Sequence, residues 1–510
     1  MKILFLLVLP FSLCFSCSTA RRQAAAKDDG RIEVNFVQVN DVYEIAPLSG
    51  GREGGVARIA SLKKKYLQQN KNSFLVMAGD FLSPSVYHSL QFEGKAIRGR
   101  QMVEALNAAG LDLACFGNHE FDIREQELQD RINESAFQWI ASNSFQLVKN
   151  QTKPFTKNGA PIPKAFIMQL QDADGTKARI GFIGICIPFN RAGYVSYSDP
   201  LASAKEAYAQ LKDSVDAVVA ITHQFMQEDE QLARELPGLA AILGGHEHDQ
   251  RSARVGKVTI TKSMANAKTA FIVKLTIDKN KGTVESNPLL EQLNESVPLD
   301  SATSVVVNKW VDIAEKNYSS LGFDARKIVR STGEPLDGRE VVIRREPTGL
   351  TRLVAEAMAA ACPLSSLALL NSGSVRVDDI LQMPLTQYDI IRTLPFGGSV
   401  REVDMKGSLL VKVLEQGLAN KGNGGYLVHN GTAERKAEGL WLLKGSPVEP
   451  GNVYRVALSD FLLSGKEANL EFLNPSNPGI VKLHETPSGT SNPASDVRLA
   501  VISYLEKQGR

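Results

Sequence analysis

The sequence contains few cysteines, histidines and tryptophans. Of its five cysteines, only Cys115, Cys186 and Cys362 lie beyond the first 20 residues, and they are widely scattered. This excludes the disulfide framework of a small secreted domain. Each of the three lies in an apolar run, so we expect buried thiols that act as small hydrophobic side chains.

An excess of charge of either sign is also absent. The 510 residues carry 58 basic and 56 acidic side chains, which excludes a whole-chain field for binding nucleic acid polymers or anionic membranes. After residue 20 no apolar run is long enough for a transmembrane helix. The length and the 43% hydrophobic content predict a globular protein of two to four domains.

The first 20 residues differ from the rest of the chain. Residues 3–13 form an apolar run that is too short to span a bilayer, which is typical of a secretory signal. We therefore predict a signal peptide over 1–20 and an exported protein. Two ways of processing this signal stay open. Cleavage after Ala20 predicts a periplasmic protein, and lipid modification of Cys17 predicts an envelope lipoprotein.

Apolar runs of strand length alternate with helical periodicity between about residues 31 and 290. The runs are Ile32–Val39, Ser73–Ala78, Leu111–Phe116, Ile180–Cys186, Ala217–Thr222 and Leu239–Leu243. Helical segments are predicted at 55–68, 99–109 and 203–215, and this alternation indicates a layered α/β domain over 28–300.

The remaining sequence predicts a second unit. A polar helical stretch at 302–318 and a Gly- and Pro-bearing segment at 332–338 indicate a linker helix region over 301–335. Residues 336–510 then mix helical and strand patterns, so we predict a smaller α/β domain. Its helices are expected at 348–361 and 406–418, and its strands near 366–370, 398–405 and 453–459.

Polar, potentially metal-binding residues follow five of the six predicted strands. They lie in the segments Asn40-Asp41, Gly79-Asp80, Gly117-Asn118-His119-Glu120, His223 and Gly244-Gly245-His246-Glu247-His248. Ligands of layered α/β folds bind at the carboxyl ends of the strands. Four of only seven histidines lie in these segments, so together they predict one site.

The types of residue in these segments indicate a metal centre. Carboxylate, imidazole and amide oxygen ligands suit Zn, Mn or Fe. Two such ions close together can bind one phosphate and activate water, and Asp80 is the candidate for a carboxylate shared between them. The adjacent glycines, such as Gly79 and Gly117, would let the backbone turn tightly beside the ions.

In this order, the segments resemble those of the calcineurin-like metallophosphoesterases. The second half of the chain is similar to one family of that group, the 5′-nucleotidases, and in particular to the bacterial type that includes UDP-sugar hydrolases. The resemblance covers most of the chain after the signal. It implies a four-layer α/β/β/α sandwich that holds two divalent metals, followed by a smaller α/β domain that binds the nucleoside and rotates against the first.

The resemblance also implies a role for each residue of the first half. Asp41 and His248 would bind one metal, Asp80 would bridge, and the second metal would be held by Asn118, His223 and His246. His119 matches the histidine that stabilises the transferring phosphoryl group, and Asp122 matches the carboxylate that orients it.

In the second half, Asn371-Ser-Gly-Ser-Val-Arg376 is similar to the family's sugar- and phosphate-binding segment. Arg376 would clamp phosphate, Asn371 would meet the sugar, and Arg344 takes the place of a second phosphate-binding arginine. Phe396 and Phe461 match the two rings that sandwich the base.

Two positions depart from the family pattern. Tyr43 stands where the first metal motif usually has histidine, so it either binds a metal as phenolate or merely packs there. Glu467 replaces the usual aspartate that holds the ribose hydroxyls, and Lys466 beside it adds a charge. Both departures bear on the substrate more than on the reaction class.

The sequence thus predicts metal-dependent hydrolysis of nucleotide phosphomonoesters by a 5′-nucleotidase. One alternative is a 2′,3′-cyclic nucleotide phosphodiesterase or a hydrolase of UDP-sugars and nucleoside di- and triphosphates. A second alternative, motivated by Tyr43, is a degenerate protein that binds a nucleotide without turnover.

Overall fold

The computed structural model describes residues 28–189 and 192–508. The predicted signal peptide over 1–20 and the candidate lipidation site Cys17 lie outside the described residues. Among the described helices, none has both the length and the apolar character needed to cross a membrane.

Two six-stranded sheets form the first half. In the first sheet the strands lie in the order Thr283–Gln292, Thr269–Asp278, Arg31–Val39, Ser73–Ala78, Leu113–Cys115 and Gln138–Ile140. In the second sheet the order is Ala165–Gln171, Lys177–Cys186, Ala217–His223, Ala241–Gly245, Val258–Lys262 and Arg251–Val255. The four strands from Arg31–Val39 to Gln138–Ile140 run parallel to one another, as do the four from Lys177–Cys186 to Val258–Lys262. Their carboxyl ends therefore emerge together.

The two sheets pack face to face over a shared apolar core. Phe36 of the first sheet meets Phe182 of the second edge-on, with ring centroids 5.6 Å apart. Three helices cover the outer face of the first sheet and two cover that of the second. These helices are Val56–Gln69, Arg100–Ala109, Glu125–Glu134, Pro200–Leu211 and Met226–Glu235. The predicted four-layer α/β/β/α sandwich is confirmed.

Two predicted elements are displaced along the chain. The helix predicted at 203–215 runs from Pro200 to Leu211, because the Asp199 side chain caps it by accepting a hydrogen bond from Ala202 N. The strand predicted at Leu239–Leu243 is Ala241–Gly245, so its two glycines pair within the sheet.

A 20-residue helix, Ser301–Ser320, follows the sandwich. The Asp300 carboxylate accepts a hydrogen bond from Thr303 N at 2.9 Å and fixes its start. The helix buries Trp310, and the indole N–H donates to Glu104 of the helix Arg100–Ala109. The helical part of the predicted linker is therefore packed against the first half of the chain.

The second half is built on a five-stranded sheet in the order Leu427–His429, Leu367–Asn371, Val453–Ser459, Val400–Lys406 and Ile480–Leu483. Its longer helices are Gly349–Ala361, Gln387–Thr393, Gly407–Ala419 and Val497–Gln508, and short ones lie at Glu340–Ile343 and Asp460–Leu463. The mixed α/β character predicted for this half is confirmed. Cys115, Cys186 and Cys362 are free and buried, as predicted.

Candidate functional site

The strand ends of both sheets converge on one cluster of polar residues. Asp41, Asp80 and Asn118 follow three adjacent parallel strands of the first sheet. His223 ends a strand of the second sheet, and His246 and His248 follow the next strand in that sheet. This is the edge at which layered α/β folds bind their ligands.

Two buried carboxylates lie at the centre of the cluster. Asp41 is fully buried and Asp80 is 1% exposed, and both take a left-handed backbone, with φ of 53° and 54°. Asp41 Oδ2 accepts a hydrogen bond from His246 N at 3.0 Å, and Asp80 Oδ1 accepts one from His119 N at 2.8 Å. Strained conformations of this kind persist where the surrounding structure enforces them, commonly at functional sites.

Glycines allow the strand ends to approach this closely, as predicted. A Cβ atom on Gly117 would lie 2.1 Å from Asp80 Oδ1. A Cβ atom on Gly79, whose φ is 77°, would lie 2.6 Å from Gly117 N and 2.7 Å from His223 Nδ1. Any larger residue at either position would therefore push these elements apart.

Two buried polar atoms of the cluster, one on His223 and one on Asn118, lack a hydrogen-bond partner. His223 Nδ1 lies 2.8 Å from the Ala78 carbonyl oxygen, which accepts its proton. His223 Nε2 then faces Asp80 Oδ2 at 3.0 Å without forming a hydrogen bond of good geometry. Asn118 Oδ1 is also buried without a hydrogen-bond partner. Buried polar atoms almost always have a hydrogen-bond partner, so His223 Nε2 and Asn118 Oδ1 are suited to bind a cation.

The charges at the cluster also favour a cation. Burial works to lower the pKa of His223, but Asp80 and Asp41 outweigh it and raise that pKa to about 9. Burial and the neighbouring His223 lower the pKa of His246 to about 3, so His246 is a neutral imidazole available as a ligand. The two carboxylates therefore draw positive charge to the place where the imidazoles converge.

His248 completes one side of the cluster. Its Nε2 lies 3.4 Å from Asp41 Oδ1 and 3.0 Å from the hydroxyl oxygen of Tyr43. The side chains of Asp41, Asp80 and His223 place one ligand atom each within 4.8 Å of one another, a spacing that could hold a metal ion. The structure thus brings Asp41, Asp80, His223 and His248 together, with Tyr43 beside them, and the ring of His246 lies 5.2 Å from that of His223, centroid to centroid. Asn118 follows the strand next to that of Asp80, and its side chain is buried.

His119 lies beside the cluster and is held by a carboxylate. Its Nδ1 is 2.6 Å from Asp122 Oδ2, which also accepts a hydrogen bond from Ser83 Oγ. Burial works to lower the pKa of His119, but Asp80 and Asp122 outweigh it and raise that pKa to about 8. The pairing fixes which ring nitrogen faces Asp122 and leaves Nε2 for another partner.

A cleft between the two halves of the chain opens onto this histidine. The first half contributes Tyr43, His119 and His248 to its lining, and the second half contributes Glu340, Arg376 and Asp378. The structure therefore places Arg376, predicted to clamp phosphate, in the same cleft as His119.

Arg344 does not line the cleft directly. It is 4% exposed, and its Nε donates to Glu340, which does line the cleft, at 3.2 Å. Its Nη1 is buried without a hydrogen-bond partner, which leaves this donor unsatisfied.

Asn371 and Glu467, predicted to meet the sugar, are directly bonded to each other. Asn371 Nδ2 donates to Glu467 Oε2 at 2.7 Å, and Asn371 Oδ1 accepts a hydrogen bond from Ser374 Oγ at 2.6 Å. The longer side chain of Glu467 is buried and contacts the asparagine directly.

The two phenylalanines predicted to sandwich a base are both exposed, Phe396 at 75% and Phe461 at 44%. They flank adjacent strands, because Val400 pairs with Ser459 in the sheet. Asp460 holds their segments together by accepting hydrogen bonds from the backbone and side chain of Ser399. Neither ring is part of the core. Phe396 faces a neighbouring cleft and not the cleft that Arg376 lines.

Models of two protein families match this chain. The calcineurin-like phosphoesterase model matches residues 34–250, and the model of the 5′-nucleotidase C-terminal domain matches residues 327–473. The chain belongs to the 5′-nucleotidase family of the calcineurin-like metallophosphoesterases. Members of this family are hydrolases that act on phosphoric ester bonds, and this chain is one of them.

Individual relatives agree with the family. The 5′-nucleotidase of Bos taurus is 24% identical over 468 residues, which cover 81% of this chain and 78% of the relative. The structure of a 5′-nucleotidase precursor from Thermus thermophilus is similar with a TM-score of 0.65 and 22% identity, over 94% of this chain and 97% of that one. The Thermus sulfate thiohydrolase SoxB shares the fold with a TM-score of 0.61 and 16% identity, over 94% of each chain.

In this 5′-nucleotidase family member, the structure places two further residues at the site for which the sequence predicted no role. Glu120 is buried, and its carboxylate accepts four backbone hydrogen bonds, from Gly117, Asp80, Phe81 and Leu82. Its position in the segment Gly117-Asn118-His119-Glu120 was the only feature of the sequence that indicated a place at the site.

The other residue is Asp378, from the second half of the chain. Its Oδ2 lies 2.8 Å from Nδ1 of His248, and its φ of 37° is unusual for a residue other than glycine. It follows Arg376 by two positions, but only the folded chain brings it to His248. Carboxylates that hold metal-binding histidines fix the ring orientation and raise its basicity.

Proposed function

We propose that this protein is a two-cation 5′-nucleotidase that hydrolyses nucleotide phosphomonoesters. The single observation that carries the proposal is the convergence of Asp41, Asp80, Asn118, His223, His246 and His248 beside a cleft that also holds His119 and Arg376. The donor set of carboxylates, imidazoles and one amide suits two divalent ions such as Zn, Mn or Fe.

The residues would divide between two cations, with Asp80 available to both. Asp41 and His248 would hold the first cation, and Asn118, His223 and His246 would hold the second. Asp80 Oδ2 faces both groups, since it lies 3.0 Å from His223 Nε2 and 3.4 Å from the Tyr43 hydroxyl beside His248. When bound, such a pair polarises the phosphoryl group and activates water for attack.

The other residues of the cleft orient the substrate and balance its charge. His119, held by Asp122, presents a donor to the phosphoryl oxygens where negative charge develops. Arg376 offers a planar fork to the same oxygens from the opposite half of the cleft. Asn371 and Glu467 would meet the ribose, while Arg344 adds positive charge and the rings of Phe396 and Phe461 would stack on the base.

Phosphate release from a panel of substrates tests this proposal. We expect Mn- or Zn-supplemented protein to release phosphate from AMP faster than from UDP-glucose or a 2′,3′-cyclic nucleotide, and chelation to abolish the release. Faster turnover of UDP-glucose, a nucleoside triphosphate or the cyclic nucleotide would favour those substrates instead. A folded protein that binds AMP but releases phosphate from none of them would indicate the non-catalytic alternative.

We also propose that the chain is exported and acts in the periplasm or at the cell envelope. The support is the sequence of residues 1–20, with Cys17 as the position that a lipid anchor would modify. Mass spectrometry of the mature protein distinguishes a chain that begins after Ala20 from one with a lipid on Cys17.

A further inference from the structure

A lysine is fully buried inside the sandwich next to the site. Lys262 is the last residue of the strand Val258–Lys262, an inner strand of the second sheet. This strand pairs with Ala241–Gly245, the strand that His246 follows. Burying an ammonium group is costly unless hydrogen bonds and opposite charges compensate for it. The contacts of Lys262 therefore show what its charge is used for.

The ammonium group joins residues that are adjacent in the chain to two candidate metal ligands. Lys262 Nζ donates a hydrogen bond to the backbone oxygen of Gly245 at 2.9 Å, and another to that of Gln224. Gln224 directly follows His223, and Gly245 directly precedes His246. One side chain thus connects the two strand ends that carry these histidines.

The carboxylate of Glu247 extends this connection. Glu247 lies between His246 and His248 in the chain, and its Oε2 accepts a hydrogen bond from Lys262 Nζ. Its Oε1 accepts one from Met226 N at 2.7 Å, at the start of the neighbouring helix. The segments that follow the two strands are therefore held together through both oxygens of this carboxylate.

The carboxylate of Asp229 balances the charge of the lysine. Both side chains are fully buried, and Asp229 Oδ2 lies 3.0 Å from Lys262 Nζ. Asp229 Oδ1 accepts a hydrogen bond from Gln224 Nε2 at 3.0 Å, so Gln224 is held by its side chain as well as by its backbone. An apolar side chain at position 262 would remove the donor that all these acceptors share.

We propose that Lys262 is a positioning residue for the second cation. It fixes the backbone beside His223 and beside His246 relative to each other, so that both imidazoles are directed at one ion. The inference rests on the proposed function, because it needs a cation at these histidines. Groups that orient metal-binding side chains typically change the metal affinity by roughly 10- to 100-fold when they are removed.

Calorimetric titration of the purified protein with zinc tests the inference without measuring turnover. Wild-type protein should bind two zinc ions. Lys262→Gln should bind one of them roughly 10- to 100-fold more weakly and the other with unchanged affinity. Phosphate release from AMP by this variant should be low at limiting zinc and recover in excess zinc, because added metal refills the weakened site.

Lys63→Gln is the matched control. Lys63 also lies close to a carboxylate, with Nζ 2.7 Å from Asp112 Oδ2, and it also donates to a backbone oxygen, that of Gly110. It belongs to the helix Val56–Gln69 on the outer face of the first sheet. Its substitution should leave both zinc affinities at the wild-type values.

The double variant Lys262→Gln/Asp229→Asn keeps the test valid if the single variant does not fold, because it leaves no buried aspartate without its counter-charge. It should show the same loss at one zinc site, and circular dichroism should show that it is folded. Wild-type affinity for both ions in either folded variant would overturn the inference, as would equal weakening of both sites or an equal loss in Lys63→Gln. Wild-type protein that binds neither zinc nor manganese would instead contradict the proposed function itself.

Discussion

The substitution Glu120→Gln gives a stringent test of how the strand ends are held together. Glu120 Oε2 accepts hydrogen bonds from Asp80 N and Gly117 N, and Oε1 accepts them from Phe81 N and Leu82 N, at 2.6 to 3.0 Å. Glutamine has nearly the same shape but retains only one acceptor oxygen. Its amide group must therefore face two buried N–H groups as a donor.

The expected cost follows from those two unsatisfied groups. A buried donor left without a partner costs about 1–3 kcal/mol, so the variant should lose roughly 2–6 kcal/mol of unfolding free energy. That is a large fraction of the ~5–15 kcal/mol typical of a folded protein. Urea unfolding of the wild type and the variant, followed by circular dichroism, measures the difference.

Glu125→Gln is the matched control, since Glu125 is exposed in the first turn of the helix Glu125–Glu134. It should change the unfolding free energy by less than about 0.5 kcal/mol. A loss in Glu120→Gln no larger than in the control would refute the reasoning, because it would mean that the four backbone hydrogen bonds do not depend on the carboxylate.

Two further predictions concern the second half of the chain. Phe461→Ala should raise the KM for AMP by roughly ten-fold, as expected for the loss of about 1–2 kcal/mol of ring contact. The KM for a small aryl phosphate should stay unchanged. An equal effect on both substrates would mean that the ring does not contact the base. Asp404→Asn should destabilise the protein at pH 7, because the hydrogen bonds that Arg455 donates to Asp404 lower the pKa of Asp404 below 3.8. That stabilisation is lost as the pH falls through the lowered pKa, so urea unfolding should show the difference between wild type and variant closing below about pH 3.8, and a difference that is independent of pH would contradict it.

Much of the cluster could be predicted because its candidate ligands follow apolar strands. A run such as Ser73–Ala78 is buried on both faces, so it reads as a parallel strand, and the polar residue after it must lie at the sheet edge. Because the strands end at the same edge, Asp80, Asn118 and His223 were predicted to lie in one place. The geometry that the glycines allow was predictable for the same reason.

The outer strands were not predicted. Thr283–Gln292 lies at the edge of the first sheet and Ala165–Gln171 at the edge of the second, and both alternate polar with apolar residues or are largely exposed. Edge strands of this kind lack the continuous apolar run on which the prediction relied. They carry none of the candidate ligands, so the site was predicted although these two edge strands were not.

The contacts that depend on tertiary structure could not be predicted either. Asp378 meets His248 only because the second half folds against the first, and no local pattern marks an aspartate for that contact. The position of the Tyr43 hydroxyl is similar, since the sequence allowed either a ligand or a packed ring. Distances between side chains from separate elements decide such questions.

Elemental analysis of purified wild-type protein and of Asp80→Ala tests the central claim most directly. Asp80 Oδ2 is proposed to serve both cations, so the wild type should contain two metal ions per chain and the variant fewer than one, with no phosphate release from AMP. Asp130→Ala, which alters an exposed carboxylate on the helix Glu125–Glu134, should match the wild type. If folded Asp80→Ala retained both ions, this carboxylate would not join the two sites and the account would be wrong.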